Sequence, residues 1–238
     1  KLLNVPNDPA ALRATLASWS AADVEDAAGR LGLCGVHVRR REQWEAHAQA
    51  LATASLPLLE ITRIGDAPPR PLPDAARPLS GIRVLDLSRV IAGPMAARTL
   101  AEHGASVLQV GAAHLPSIES LVIDTGFGKQ SCAINLDTAA GNNTLHELIT
   151  SADVFLNAYR PGTLDRRGFS PAALAERRPG IVYLTISAFS RAGPWAQRRG
   201  YDTLVAAASG EAQRRGGGRG FNLEFATDAV VMKRTGAL

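Results

Sequence analysis

Three arginines in this chain stand where a phosphate could be met. Arg89, Arg160 and Arg166 each follow closely on a short apolar run, 82–87 for the first and 153–157 for the other two. An arginine at a strand end presents a planar fork that takes phosphate oxygens in pairs. The chain around Arg89 adds a second device, because Ser88 to Gly93 reads as a loop and Pro94 as a helix start. The backbone of Ile91 and Ala92 would then lie at a helix N-terminus, which favours anions. Recognition of a polyanionic small molecule is the chemistry these residues offer. Lys129, between Gly128 and Gln130, is a weaker candidate for the same role, and such a lysine is more often solvated at a loop. No G-x-G-x-x-G follows the first apolar run, so neither a nicotinamide nor a flavin cofactor is expected. No His, Cys, Asp and Glu cluster suggests a metal, and Cys34 and Cys132, far apart, read as small buried hydrophobes.

Such residues need a scaffold that gathers strand ends and helix starts. From Arg77 to Val110 the chain reads RPLSGIRVLDLSRVIAGPMAARTLAEHGASVLQV. Ile82, Val84, Leu85 and Leu87 form a short apolar run behind a Pro-Leu-Ser-Gly turn, the pattern of a buried parallel strand. Pro94 suits the first turn of a helix, Met95, Ala96, Ala97, Leu100 and Ala101 continue it, and Gly104 stops it before a second strand at 106–110. Further on, the pattern predicts strands over 132–136, 153–157 and 181–187, helices over 138–150 and 171–177, and an Ala-rich helix from Gly200-Tyr201-Asp202 to Ser209. Alternating strands and helices give an α/β fold, a Rossmann-like, doubly wound and mostly parallel sheet whose ligands bind at the carboxyl ends of the strands.

Ahead of the sheet lies a small α+β segment, residues 1–65. Leu12, Leu16 and Trp19 share one helical face, Ser20 opens a second helix that stops near Gly32, Val36 and Val38 make a short strand, and Glu42 to Ala54 reads as helix. LPLLEI at 56–61 is another short apolar run. Residues 66–78, DAPPRPLPDAARP, hold five prolines in thirteen, which neither a helix nor a central strand accepts. This is an extended linker and the domain boundary. The second domain runs over 79–238 and turns irregular from about 211, ahead of the Gly-rich RRGGGRGF.

With 238 residues and 46% hydrophobic residues the chain can bury a core. Its net charge is +4, but the arginines are scattered and lack interleaved aromatics, which favours a solvated surface over a nucleic-acid footprint. No apolar run approaches the roughly 18 residues that span a bilayer, and KLLNVPNDPA lacks the layout of a signal peptide. A cytoplasmic location, with no membrane and no nucleic acid as partner, is the expectation.

PLSGIRVLDLSRVIAGP, with its short helix and HGASVLQV, resembles the opening of the family III CoA-transferases, which include formyl-CoA transferases, carnitine CoA-transferases and α-methylacyl-CoA racemases. The stretch Tyr159 to Phe169, YRPGTLDRRGF, is similar to that family's N-F-R-P-G-x-L-x-R-x-G signature and is the most specific match. Ala188-Phe189-Ser190-Arg191-Ala192-Gly193-Pro194 resembles its G-F-G-x-x-G-P loop, with Ala188 and Ser190 in place of two glycines. The strong resemblance covers 78–210. A looser one links residues 32–38 to the end of the family's small domain, so that the tail of one copy precedes the head of another. That order implies a tandem fusion or a rearranged relative.

The resemblance implies coenzyme A, or acyl-CoA, as the polyanion. Arg89, the backbone of Ile91 and Ala92, Ile134, Arg160 and Arg166 would meet it, with Arg166 on the signature's arginine. Ile91 stands where the formyl-CoA transferases carry Gln, which argues against a polar side-chain role there. The resemblance further implies transfer of CoA from an acyl-CoA to a small carboxylic acid through an aspartyl acyl anhydride. Asp228 is the nearest match to the nucleophile and Glu224 its nearest substitute, while a helix cap is the other reading of Asp228. Tyr201 occupies the position where the racemases place a His. Phenols ordinarily titrate near pH 10 and are poor bases at neutral pH, so a transferase is favoured over a racemase, with simple packing at a helix start as the other reading of this tyrosine. An inactive copy that binds CoA or serves in assembly is the alternative from a different class. Family members form interlocked homodimers, so a homodimer or association with another copy is expected.

Overall fold

Asp8 and Ser20 accept the N–H groups of Ala11 and Asp23 and so cap the first two helices of the computed structural model, α1 (Pro9–Leu16) and α2 (Ala21–Arg30). The structure describes residues 2–214, which fall into two compact units, one of residues 2–60 with 187–214 and one of Ile61–Ile186. In the first unit the helical run expected over Glu42 to Ala54 is two helices, α3 (Arg41–Glu45) and α4 (Ala48–Thr53). The break falls at His47, whose Nδ1 accepts the Gln49 N–H at 3.1 Å and restarts the helix. Val36 and Val38 are not in a strand. Their segment is tied by single bonds, His37 N–H to Glu25 Oε1 (2.7 Å) and Arg39 N–H to the Ala207 carbonyl (3.0 Å), with no partner strand to make a ladder. The run at 56–61 is likewise irregular, with Leu58, Leu59 and Ile61 exposed. Among the described residues, 2–60 hold helices and no strand.

The second unit alternates as its sequence suggests: β1 (Arg83–Leu87), α5 (Ala92–Glu102), β2 (Ser106–Gly111), α6 (Glu119–Thr125), β3 (Lys129–Ala133), α7 (Ala139–Ile149), β4 (Val154–Asn157), α8 (Pro171–Arg177) and β5 (Val182–Thr185). All neighbours are parallel and the order is β3-β2-β1-β4-β5. Successive residues of a strand face opposite sides, and β1 uses both. Val84 packs with Ala97 and Ala101 of α5, Val107 and Leu156 on one face, where alanines let the helix come close. Leu85 and Leu87 face the other way, onto Leu145 and Ile149 of α7, Leu174 of α8, Phe155 and Phe169. Two departures from the sequence reading occur here. β3 begins at Lys129, three residues earlier than Cys132, and α6 occupies a stretch for which the pattern predicted no element.

The Pro-rich stretch forms neither helix nor strand and belongs to the sheet unit, where it touches the amino ends of the strands. Arg70 pairs with Asp153 just before β4, the Leu79 N–H donates to the His103 carbonyl (2.9 Å) before β2, and a Cβ on Gly81, before β1, would touch Pro73 Cγ at 3.0 Å.

The first unit is completed by α9 (Asp202–Ala208) and α10 (Glu211–Arg214). Trp44, Phe189, Trp195, Val205 and Ala208 form its core. Gln49, 1% exposed, donates to the carbonyls of Phe189 (2.6 Å) and Ala192 (2.8 Å) and accepts the Trp195 N–H (2.7 Å).

Candidate functional site

The strand order reverses between β1 and β4, which are neighbours although five elements separate them in sequence. The chain leaves β1 toward α5 on one face and leaves β4 toward α8 on the other, the switch point beside which ligands bind in sheets of this kind. Gly93, at the start of α5, sits in the fork: a Cβ there would run into the Ser88 side chain and lie 3.4 Å from the Ala158 Cβ. Only glycine lets the two loops close up so far. Between Ser88 and Gly93, Val90 takes φ 71°, a conformation β-branched residues rarely adopt.

Under this loop lies a buried ionic group. Asp86 is fully buried, and its Oδ2 is 2.8 Å from Lys129 Nζ, whose side chain is 1% exposed. The same ammonium donates to the Pro94 carbonyl at 2.8 Å. The other Asp86 oxygen accepts the Ser88 N–H at 2.9 Å and the Ser88 hydroxyl. Lys129 is therefore no solvated loop lysine: it starts β3 and reaches past β2 to β1. A lone Asp inside the apolar run V-L-D-L was the sequence signal for this group, since a carboxylate in a central strand needs a partner.

Of the residues expected to bind the anion, five share the two loops beside the fork. Arg89 is half-buried and donates to the Pro116 carbonyl in the loop after β2. Ile91 and Ala92 form the half-buried entry to α5. Arg160 and Arg166 are exposed on the segment after β4, where Gly162 takes φ 75° and a Cβ on it would stand 3.6 Å from Arg166 Nη1. Ile134 lies apart from them, 8% exposed within the core beneath α7. Tyr201 belongs to the other unit, where it is exposed and precedes α9. Asp228 and Glu224 lie outside the described residues.

Neighbours unremarked in the sequence hold this segment. Arg167, next to Arg166 on a 3₁₀ turn (Asp165–Arg167), donates to the Leu136 carbonyl (2.5 Å) and to Asp137 Oδ1 (2.6 Å), and its carbonyl accepts the Asn142 side chain (3.0 Å). The Arg167 hydrogen bond and charge hold the Asp137 carboxyl below its usual range. His114 Nε2 lies 3.5 Å from the other Asp137 oxygen. Tyr159 packs against the core, and burial pushes its phenol up although Arg89 and Arg167 pull it down. Asn157, at the end of β4, bonds the Tyr159 N–H and the Tyr183 hydroxyl. Because the strands are parallel, the loops that carry Arg89, Arg160 and Arg166 all leave the carboxyl end of the sheet. Among the described residues no group of three or more His, Cys, Asp or Glu could hold a metal ion, and no helix is long and apolar enough to cross a membrane.

Comparison with known proteins gives a consistent result. The model for CoA-transferase family III matches residues 79–228. A probable fatty acyl-CoA transferase of Mycobacterium tuberculosis, Rv3272, is 33% identical over 153 residues, which are 59% of this chain and 39% of that protein. An orthorhombic crystal structure of Rv3272 superposes with a TM-score of 0.54 at 30% identity, over 66% of this chain and 49% of the other. An acyl-CoA transferase of Gibberella moniliformis is 31% identical over 230 residues, 85% of this chain and 37% of that protein. So long a match reaches well into the residues before 79. This chain spans less than two fifths of the length of both curated relatives.

Proposed function

This chain belongs to CoA-transferase family III, and from that premise we propose that its sheet unit binds coenzyme A at the β1–β4 fork, as part of a protein that transfers CoA between an acyl-CoA and a small carboxylic acid. What supports the reading is that the loops carrying Arg89, the α5 entry at Ile91 and Ala92, Arg160 and Arg166 leave the same end of a parallel sheet. Guanidinium groups and a helix entry are the donors a diphosphate and a 3′-phosphate require. Catalysis follows from a carboxylate that attacks the thioester carbonyl and expels CoA as its thiolate, leaving a mixed acyl anhydride on the enzyme. Asp228 is assigned that role, and the family match ends on it. Tyr201 is assigned to the substrate side of the reaction, and its phenol favours transfer over racemisation. Association with a second copy is part of the same proposal, and sedimentation as a concentration-independent monomer would remove it.

The test is calorimetric titration with CoA, followed by incubation with an acyl-CoA and hydroxylamine. Binding together with a hydroxamate at Asp228 supports the full reading. Binding without a trapped acyl group leaves a coenzyme-binding copy with no chemistry of its own. The absence of any binding removes the proposal.

A further inference from the structure

Lys129 has no place in the anion site, yet it touches the parts that build it. A buried ion pair is weak evidence for stability, because the loss of hydration offsets the attraction between the charges. What it does well is fix geometry. The Lys129 ammonium lies 2.8 Å from both Asp86 Oδ2 and the Pro94 carbonyl, while Asp86 takes the Ser88 N–H at 2.9 Å. One group thus grips both ends of the loop that leaves β1, Ser88 through Asp86 and Pro94 through Lys129. Between the two grips the chain carries its left-handed Val90 and the close approach at Gly93. Left-handed backbone at a β-branched residue persists only where its surroundings impose it. A cation at the first turn would by itself oppose anion binding, since that end of a helix is already positive. Asp86 cancels the charge, so Lys129 acts through its hydrogen bonds and not through its field.

We propose that Lys129 is a positioning residue for the coenzyme: by tethering Asp86 and the Pro94 carbonyl at once, it holds Ser88–Gly93 in the shape that offers the α5 entry to the ligand. This deepens the CoA-binding reading and rests on it. The obvious variant, Lys129→Met, leaves Asp86 buried and unpaired and tests stability instead. The informative variant is Asp86→Asn with Lys129→Met, which is neutral, keeps an acceptor for Ser88 and removes the tether to Pro94, at the cost of a buried amide N–H group without a partner. Expected are melting that stays cooperative at a lower midpoint, amide hydrogen exchange in residues 88–93 roughly tenfold faster relative to β2 and β4 of the same variant, and CoA affinity roughly tenfold weaker. Exchange in 88–93 equal to wild type overturns the proposal, and so does a variant that no longer melts cooperatively, which makes the pair an element of the fold. Because the exchange comparison needs no ligand, it decides the role of Lys129 even if the wild-type chain binds no CoA, an outcome that would count against the binding reading alone.

Discussion

Arg166 stands exposed over Gly162, on a turn that its neighbour Arg167 anchors to the loop before α7. On the proposed reading Arg166 meets the coenzyme while Arg167 holds the turn. Arg166→Ala should therefore leave the melting temperature unchanged and weaken CoA binding by about 1.5–3 kcal/mol, roughly ten- to a hundredfold, by calorimetry. Arg89→Ala should be milder, because the Arg89 guanidinium already donates to the Pro116 carbonyl. Equal affinities for wild type and Arg166→Ala would place the arginine outside the site. A second residue-scale prediction concerns Ser190, which stands where the family resemblance implies glycine and takes φ 72°. Left-handed backbone costs a non-glycine residue roughly 1–2 kcal/mol, and glycine returns about 0.4–1 kcal/mol of that through its freer unfolded chain. The one bond lost, from the Ala192 N–H to Ser190 Oγ, is long at 3.4 Å. Ser190→Gly should thus stabilise by about 0.5–1 kcal/mol, read as a higher urea midpoint at unchanged slope.

The elements of the sheet were legible where local chemistry decides them. Ser170 with Pro171 marks the start of α8, Thr138 that of α7, and the V-L-D-L run marks β1. They were illegible where long-range contacts decide. α6 has no side-chain cap and exposes Val122 and Ile123, so no amphipathic pattern announces it. Lys129 looked solvated because its partner is 43 residues away. Val36 and Val38 have the alternation of a strand and no strand beside them. The joint between β1 and α5 illustrates the limit well, since Gly93 reads as a plain loop glycine and is the point where two loops meet. Ser88 cannot give way to a larger residue there, because Asp86 holds both its amide and its hydroxyl. Gly93→Ala should destabilise by about 1–3 kcal/mol in urea unfolding, through overpacking at the fork. It should also weaken CoA binding more than a remote substitution of equal thermodynamic cost. A loss of stability below about 0.5 kcal/mol would mean that the loop yields and the fork is not close-packed.

At the scale of the whole molecule, each unit owes part of its stability to a carboxylate in an unusual setting. The joining of residues 2–60 with 187–214 could not be read from sequence, because it rests on pairs such as Gln49 with Trp195, 146 residues apart. Within that unit Glu25 is buried. Burial pushes its carboxyl up, but the hydrogen bond and charge of Arg39, the His37 N–H and the charge of Arg198 outweigh this, and the net direction is down. In the sheet unit Asp153 follows the same balance: burial raises it, and the Arg83 N–H with Arg70 and Arg178 brings it below its usual value. A folded pKa below the unfolded one means that the unfolded chain binds more protons in acid. The stability these groups contribute is therefore complete above the unfolded carboxylate range, about pH 4 to 4.5, and is lost as pH falls through the folded values. His47 and His146, both depressed first of all by burial, add a loss of the same sign that starts near the ordinary histidine value of about 6.5. Glu25→Gln separates the carboxylate from the histidines. The substitution leaves Arg39, whose side chain is 7% exposed, without a counter-charge, and should cost about 3 kcal/mol or more at pH 7. In acid, wild type protonates Glu25 and reaches the same unpaired state, so the gap between the two proteins should narrow as pH falls below about 4. Urea unfolding of both at pH 7, 5 and 3.5 measures this. A gap of constant size across that range would show that Glu25 contributes by shape alone and that its charge does not stabilise the unit.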